Sequence, residues 1–345
     1  MAATAPSSTA AESSLEFGSP ASVRARGYWE DVLHRFTRDK LAVVGGIYIV
    51  FVVLMGFVGA PIAAHILGHG PNDQFAGALD AQTVLPVGPW THVSTQPYIG
   101  ATGHFSNTLF ILGGDGQLGR DEFLRLLYGA QTSLEVAVGA TILAMTIGVF
   151  LGALAGFYRG WTDTVISRLT ELVMAFPVFL FVIALASTAG DRLDGITFGG
   201  ALAKGVVMLI LIIGLFGWFF PARIIRAQVL SLREKEFVEA ARMVGTGDLR
   251  IIRTHILPHL TAPIIVYSTL VIATNVLLET SLSFFGLGVR APTPSWGNLL
   301  ATAPDYYLTQ PWLMVWPGAT VLLAALAFNL FGDGLRDALD PRSSS

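Results

Sequence analysis

Six stretches of this chain are almost purely apolar: residues 41–64, 136–158, 172–189, 205–222, 262–278 and 312–332, none of which contains Asp, Glu, Lys or Arg. A helix needs roughly 20 apolar residues to cross a hydrocarbon core of about 30 Å, and each stretch has about that length. Apolar and polar positions do not alternate as they would in a membrane barrel. A helix satisfies its backbone hydrogen bonds within one segment, so six transmembrane helices are the predicted elements. Ahead of the first, Trp29, Val32, Leu33 and Phe36 recur at helical spacing beside Arg26, Arg35 and Arg38. That pattern predicts a short amphipathic helix at the inner interface, an anchor or a contact surface. In the second stretch Gly148, Gly152 and Gly156 form a small-residue stripe suited to close helix packing, or to a pore-lining face. Pro177 and Pro317 predict kinks in the third and sixth.

Charge orients the spans. An even number of crossings puts both termini on one side. If that side is the cytoplasm, the inner segments carry Arg24, Arg26, Arg35, Arg38, Lys40, Arg159, Arg168, Arg223, Arg226, Arg233, Lys235, Arg242, Arg250, Arg253, Arg336 and Arg342. The outer segments carry Arg120, Arg125, Arg192, Lys204 and Arg290. Sixteen against five satisfies the positive-inside rule. The resulting organisation is a disordered tail 1–22, a cytoplasmic juxtamembrane segment 23–40 and a first span 41–66. An extracytoplasmic segment 67–132 and a transmembrane domain 133–333 follow, with an inner loop 223–261 and a cytoplasmic tail 334–345.

Composition excludes several classes. Of the 345 residues 53% are hydrophobic and 13% charged, against about 25% charged in a soluble domain. Lipid must therefore solvate part of the surface. A net charge of -3 gives nucleic acid no reason to bind, and without cysteine there is no disulfide or thiolate chemistry. No cleavable leader is expected, because residues 1–20 lack a basic start and an apolar core. No G-x-x-x-x-G-K-[ST], H-E-x-x-H or G-x-S-x-G motif occurs. ATP is thus not expected to bind here, and no catalytic residue, resident cofactor or metal site is assigned. His65, His69, His92 and His104 are read as solvated outer-loop histidines rather than metal ligands.

The inner loop holds the most specific pattern. Residues 236–244 favour a helix with Phe237, Ala240, Ala241 and Val244 on one face. Gly245 and Gly247 end it, and Asp248 is placed to cap a second helix reaching about Leu257 before Pro258. Two short helices joined by a glycine bend are predicted, lying parallel to the membrane. Glu239-Ala240-Ala241, Gly245 and Leu257-Pro258 resemble the cytoplasmic loop of ABC-importer permeases, E-A-A, three residues, G, nine residues, an apolar residue, x, L-P. His255 stands where the apolar residue is usual, and His259 where peptide-permease relatives often have Asn.

Two outer stretches narrow the resemblance. Gly116 to Asp121, continuing EFLRLLYGAQTSL, is similar to the outer motif of C-type dipeptide/oligopeptide permeases. Here Gly113-Gly114-Asp115 replaces G-T-D with one residue more before Gly119, Leu124 replaces Ser and Gln131 replaces Arg. Gly119, Arg120 and Asp121 are read as bracing the outer loop by ion pairing, or as gating. The run from Leu278 to Gly288 with Pro292-Thr293-Pro294-Ser295-Trp296-Gly297 resembles E-x-x-L-S-F-L-G-L-G followed by P-x-P-S-W-G. Its Glu279, at the end of span five, is a candidate for helix bracing or for pathway lining. The 157–168 turn also fits the family's inner loop between spans two and three.

The resemblance, over about 28–342, implies an all-α membrane protein with the six helices of a type I ABC-importer permease and a cytoplasmic coupling-helix loop. It implies a bacterial plasma-membrane location with both termini cytoplasmic. The implied partners are a homologous second permease subunit, an extracytoplasmic substrate-binding protein, peptide substrate, lipid and two ABC ATPase subunits that hold ATP and Mg. ATP-driven closure would move the 239–258 element and rock the helices. Nickel chelates, glutathione or another small solute are alternative cargoes. A stand-alone secondary transporter or channel is the alternative from another class, disfavoured by the charge-free spans.

Overall fold

The computed structural model describes residues 28–339 apart from 98–105, 194, 199 and 201. The predicted tail 1–22, Arg24, Arg26, His104 and Arg342 lie outside the described residues.

Helix α1, Tyr28–Phe36, leads into α2, Lys40–Leu67, which contains a π turn at Met55–Gly59. Asp39 caps α2: its carboxylate accepts from Leu41 N at 2.9 Å and Ala42 N at 3.2 Å. An outer excursion follows with two small antiparallel pairs. Strand β1 (Thr91–Ser94) pairs with β2 (Asn107–Phe110), and β3 (Gly114–Asp115) with β4 (Arg120–Asp121). Phe75, Ala78, Val93 and Phe110 form its own small core. Helix α3, Glu122–Tyr158, is 37 residues long, about 55 Å. Two bent pairs follow: α4 (Gly160–Met174) with α5 (Val178–Leu193), then α6 (Val206–Gly217) with α7 (Phe219–Leu232). The bends are 83° and 41°. A short helix α8, Glu236–Met243, precedes α9, Asp248–Phe284. Helix α10, Trp296–Thr302, and α11, Trp312–Leu339, complete the chain.

Among the described residues four helices are long and apolar enough to cross a membrane singly, and up to six spans result if each bent pair is one crossing. The chain is a multi-pass helical membrane protein. Pro177 occupies the 83° break, where a missing N–H and a ring clash favour a bend. Helix α11 continues through Pro317 without interruption.

Helix α3 is the central column. Gly148, Gly152 and Gly156 lie against α7, where an added Cβ at Gly148 would sit 2.6 Å from Pro221 Cβ and one at Gly156 2.8 Å from Arg226 O. The glycine stripe therefore serves backbone-to-backbone packing. Val136, Ala140, Leu209 and Ile212 fill the layer between α3 and α6. Ala137, Val276, Trp296, Val321 and Phe328 join α3, α9, α10 and α11. Within this apolar core Asn275 Nδ2 donates to Thr141 Oγ1 at 2.9 Å, tying α9 to α3.

The connections gather at opposite ends. At one end α1 packs on the end of α11 through Val32, Ala338 and Leu339, with Phe36 edge-on to Phe331 at 5.3 Å. At that same end Phe157, Val238, Ile251 and Leu260 share a cluster. The outer excursion, the 285–295 loop and α10 lie at the other end.

Three predicted segments carry structure the sequence did not announce. Within segment 67–132, Asp121 already caps α3, which is helical from Glu122. The second inner helix is the start of the fifth span: Asp248–Ile251 passes through a π turn, Ile252–Ile256, and a 3-10 turn, Leu257–Leu260, directly into Thr261–Phe284. Residues 334–339 remain helical and packed, not a free tail.

Candidate functional site

The inner-end candidate is the α8 element with its glycine turn. Helix α8 ends in a paired cap: Gly245 N–H donates to Arg242 O at 2.9 Å and Thr246 N–H to Ala241 O at 3.0 Å. Gly245 holds φ +81, the left-handed geometry this cap requires and glycine adopts without strain. Gly247, not Asp248, is the N-cap of α9, in extended conformation. Asp248 is its first helical residue and makes no capping bond.

The inward face of α8 also differs from the prediction. Val238 is fully buried, with Phe237 and Ala241 beside it against Phe157, Ile251 and Ile256. Glu239 and Ala240 face out with Met243, Val244 and Leu249, the last three 84%, 85% and 70% exposed. Helical periodicity permits either face, and the neighbouring ends of α3 and α9 select Val238. Leu257 packs half-buried on the same cluster, whereas Pro258 is exposed at the 3-10 turn. Basic groups fasten the element from below: Arg242 lies over the Phe157 ring at 5.3 Å, Arg233 donates to Phe157 O, and Arg159 pairs with Glu234. The result is a clamped short helix whose outer face is small and apolar and carries two carboxylates, Glu236 and Glu239.

The outer candidate is the reverse, a cluster of buried charges. Arg120 Nη2 and Arg125 Nε meet Asp115 Oδ2 at 3.0 and 2.5 Å. Arg125 Nη1 also donates to Asn72 Oδ1 at 3.1 Å and Pro292 O at 3.2 Å. His69 Nε2 lies 3.5 Å from Asp121 Oδ2, while Asp121 Oδ1 accepts from Phe123 N at 2.8 Å. Gly119, at φ +60, lets the chain pass under Phe75, whose carbonyl oxygen a Cβ would strike. Burial raises Asp121 to about 7, opposed by the Leu124 and Phe123 N–H groups. Burial lowers His69, opposed by the Gly70 carbonyl and the charge of Asp73. Gly119, Arg120 and Asp121 thus come together with Asp115, Arg125, His69 and Asn72, which sequence reasoning did not connect. The signal for Arg125 was its place in the motif; nothing local marked Asn72, and His69, read as solvated, is instead buried against Phe75 and Phe110.

Glu279 is wholly buried. Ser283 Oγ donates to its Oε1 at 2.7 Å, and the hydroxyls of Ser133, Ser295 and Thr280 surround it. Trp296 N–H donates to Ser133 Oγ at 3.3 Å, so this carboxyl sits where α3, α9 and α10 meet. Nearer the inner end a polar cavity of about 310 Å³ lies between α4 and α7, lined by Ser167, Thr170, Glu171, Arg223 and Arg226. Arg226 Nη2 pairs there with Asp163 at 2.7 Å. Among the described residues no three His, Cys, Asp or Glu side chains are grouped to hold a metal ion.

A family described as "Binding-protein-dependent transport system inner membrane component" matches residues 148–345. A second, "N-terminal TM domain of oligopeptide transport permease C", matches residues 27–82. The chain is 35% identical over 317 residues to a dipeptide transport system permease protein of Alkalihalophilus pseudofirmus, covering 92% of this chain and 91% of the relative. It is 32% identical over 320 residues to an oligopeptide transport system permease protein of Haemophilus influenzae, covering 93% and 90%. It is 31% identical over 317 residues to a glutathione transport system permease protein of Pectobacterium atrosepticum, covering 92% of each. The exposed helix–glycine element, the helical span pattern and these matches have one account: the chain belongs to the inner-membrane components of binding-protein-dependent transport systems, in the dipeptide/oligopeptide permease family.

Proposed function

We propose that this chain is one of two permease subunits that together form the membrane pathway of an ATP-driven importer of di- and oligopeptides. The observation that carries the reading is the clamped helix α8, with Glu239, Ala240 and Gly245 exposed beside Met243 and Val244. Two ATPase subunits, which bind ATP and Mg, dock on this element. A lever must be fastened to the spans it moves, and α8 is fastened through Val238, Arg233 and Arg242 to α3 and α9. ATP-driven closure displaces it, and the contacts that differ between two states supply the shift in population. The end bearing α8 is cytoplasmic, as are both termini, in a bacterial plasma membrane; the excess of Arg and Lys there supports the orientation. The outer excursion then faces an extracytoplasmic substrate-binding protein. Arg120, Asp121 and Gly119 hold that excursion to α3, and Glu279 braces α3, α9 and α10.

Glutathione, itself a small peptide, is the second cargo reading, favoured by the 31% identical relative named for it. The test replaces Glu239 with Ala and Gly245 with Val in the assembled complex. It measures ATPase co-purification and uptake of a labelled dipeptide, with glutathione as competitor. Unchanged association and uptake in both variants removes the coupling role. Uptake abolished by a slight excess of glutathione reassigns the cargo.

A further inference from the structure

Glu135 lies about 20 Å along α3 from its start. Opposite it stand Val53 and Phe57 near the middle of α2, and Phe328 near the middle of α11. With Val138, Ile142 and Ile210 they line an open groove of about 530 Å³ whose wall is apolar apart from Glu135. Ile142 on its rim is 62% exposed. Among the described residues, the hydrogen bond that Glu135 accepts comes from Gln131 Nε2 at 3.1 Å, a neutral amide one turn away on the same helix. The apolar-run criterion begins at residue 136 and so passed over this carboxyl.

A carboxyl set in an apolar wall is disfavoured against lipid, and such groups face protein or water and take partners. Lipid chains carry no donor, so hydrocarbon is the wrong cover for this groove. An aqueous pathway wall is equally ill-suited, because the remaining lining is aliphatic or aromatic. We infer that the groove seats a transmembrane helix of the companion permease chain, which presents a hydrogen-bond donor (Lys, Arg, His, Asn or Gln) to Glu135. The assignment rests on the two-permease reading above and adds where the chains meet and which polar contact fixes their register. Interhelical polar contacts of this kind act as glue in bilayers, where burial of apolar surface offers no net drive.

The chain has no cysteine, so a single introduced cysteine reports without background. Benzophenone maleimide is attached at Ile142→Cys, or at Leu322→Cys, an exposed α11 position that does not line the groove. The assembled complex is then illuminated in native membranes. The expected result is an adduct with the companion permease from position 142 and with lipid from position 322. Lipid adducts alone from 142, or adducts only between copies of this chain, overturn the assignment. A purified complex without any second permease chain removes the parent reading, and that is visible before illumination. Glu135→Ala is expected to weaken association of the two permeases about three- to tenfold, with Glu135→Gln restoring most of it. Helical circular dichroism of each variant checks folding. Equal association of wild type, Glu135→Ala and Glu135→Gln overturns the polar pairing.

Discussion

The two ends of this molecule solve opposite problems. At the inner end, helix α8 has one buried anchor, Val238, and leaves Met243 and its cap Val244 exposed, with Leu249 exposed at the start of α9. At the outer end, Asp115, Arg120, Asp121, Glu122 and Arg125 are all buried. The inner element is built from local chemistry: a nine-residue stretch of helix formers, a left-handed glycine and a cap. The outer cluster also draws in segments far apart in sequence, since Arg125 reaches Asn72 and Pro292. An apolar face left exposed marks a surface meant for another chain. Charges taken out of water mark an internal joint, because each must find its counterpart within the protein. On the proposed reading the exposed face of α8 is where a partner docks, while the buried charges keep the outer excursion attached to α3.

The largest effect expected from breaking this contrast is at Asp115. Asp115→Ala leaves two buried guanidinium groups without their shared carboxylate and is expected to destabilise the fold by about 3–5 kcal/mol. Thermal unfolding in lipid nanodiscs measures it, and a fall below about 1 kcal/mol would place the cluster in solvent. The next effect is pH dependence. Asp121, held near 7 in the folded chain, keeps a proton that the unfolded chain has released. Its contribution is present below about pH 4 and is lost as pH rises to about 7, by at most about 4 kcal/mol. His69, lowered by burial, acts with the opposite sign and loses its contribution on acidification. Hydrogen exchange of the 69–121 segment between pH 4 and 8 should show greater protection on the acid side. Asp121→Asn should reduce that slope, leaving the same-signed share of Glu122, which burial also raises, against the reverse slope of His69.

Effects at the inner end are smaller in stability and larger in function. Gly245→Val forces a β-branched residue to φ +81, at about 1–2 kcal/mol. Gly245→Asn is expected to recover much of it, since Asn tolerates that region. Both are read by unfolding and by ATPase co-purification. The smallest stability change, within about 0.5 kcal/mol, is expected for Val244→Asp on the exposed face. Its ATPase association should nonetheless fall. Intact association with Val244→Asp would move the docking surface off α8.

Much of this was legible in the linear chain. Apolar runs marked the four helices able to cross a membrane singly and both bent pairs, because lipid imposes its length on each segment independently. Gly245 was legible because a helix C-terminus makes a local demand on φ. The start of α3 was not, since Glu122 and Arg125 interrupt the apolar count, and their charges are tolerable only beside Asp115 and Arg120. Nor was the inward face of α8: Phe237, Val238, Ala241 and Val244 are all compatible with burial, and the ends of α3 and α9 chose among them. The proline at 177 announced a break, but its 83° came from packing.

The chain by itself determined that it would live in a membrane, where its helices would run and where its glycine turn would fall, because those depend on solvent transfer and on dihedral limits within a few residues. Only the tertiary structure decided which charges are buried together at the outer end, which face of α8 looks outward, and that Glu135 stands beside an apolar groove. Those depend on side chains brought together from distant segments, such as Arg125 with Asn72 and Pro292, and Val238 with Phe157, and no local pattern specifies which distant neighbour will arrive.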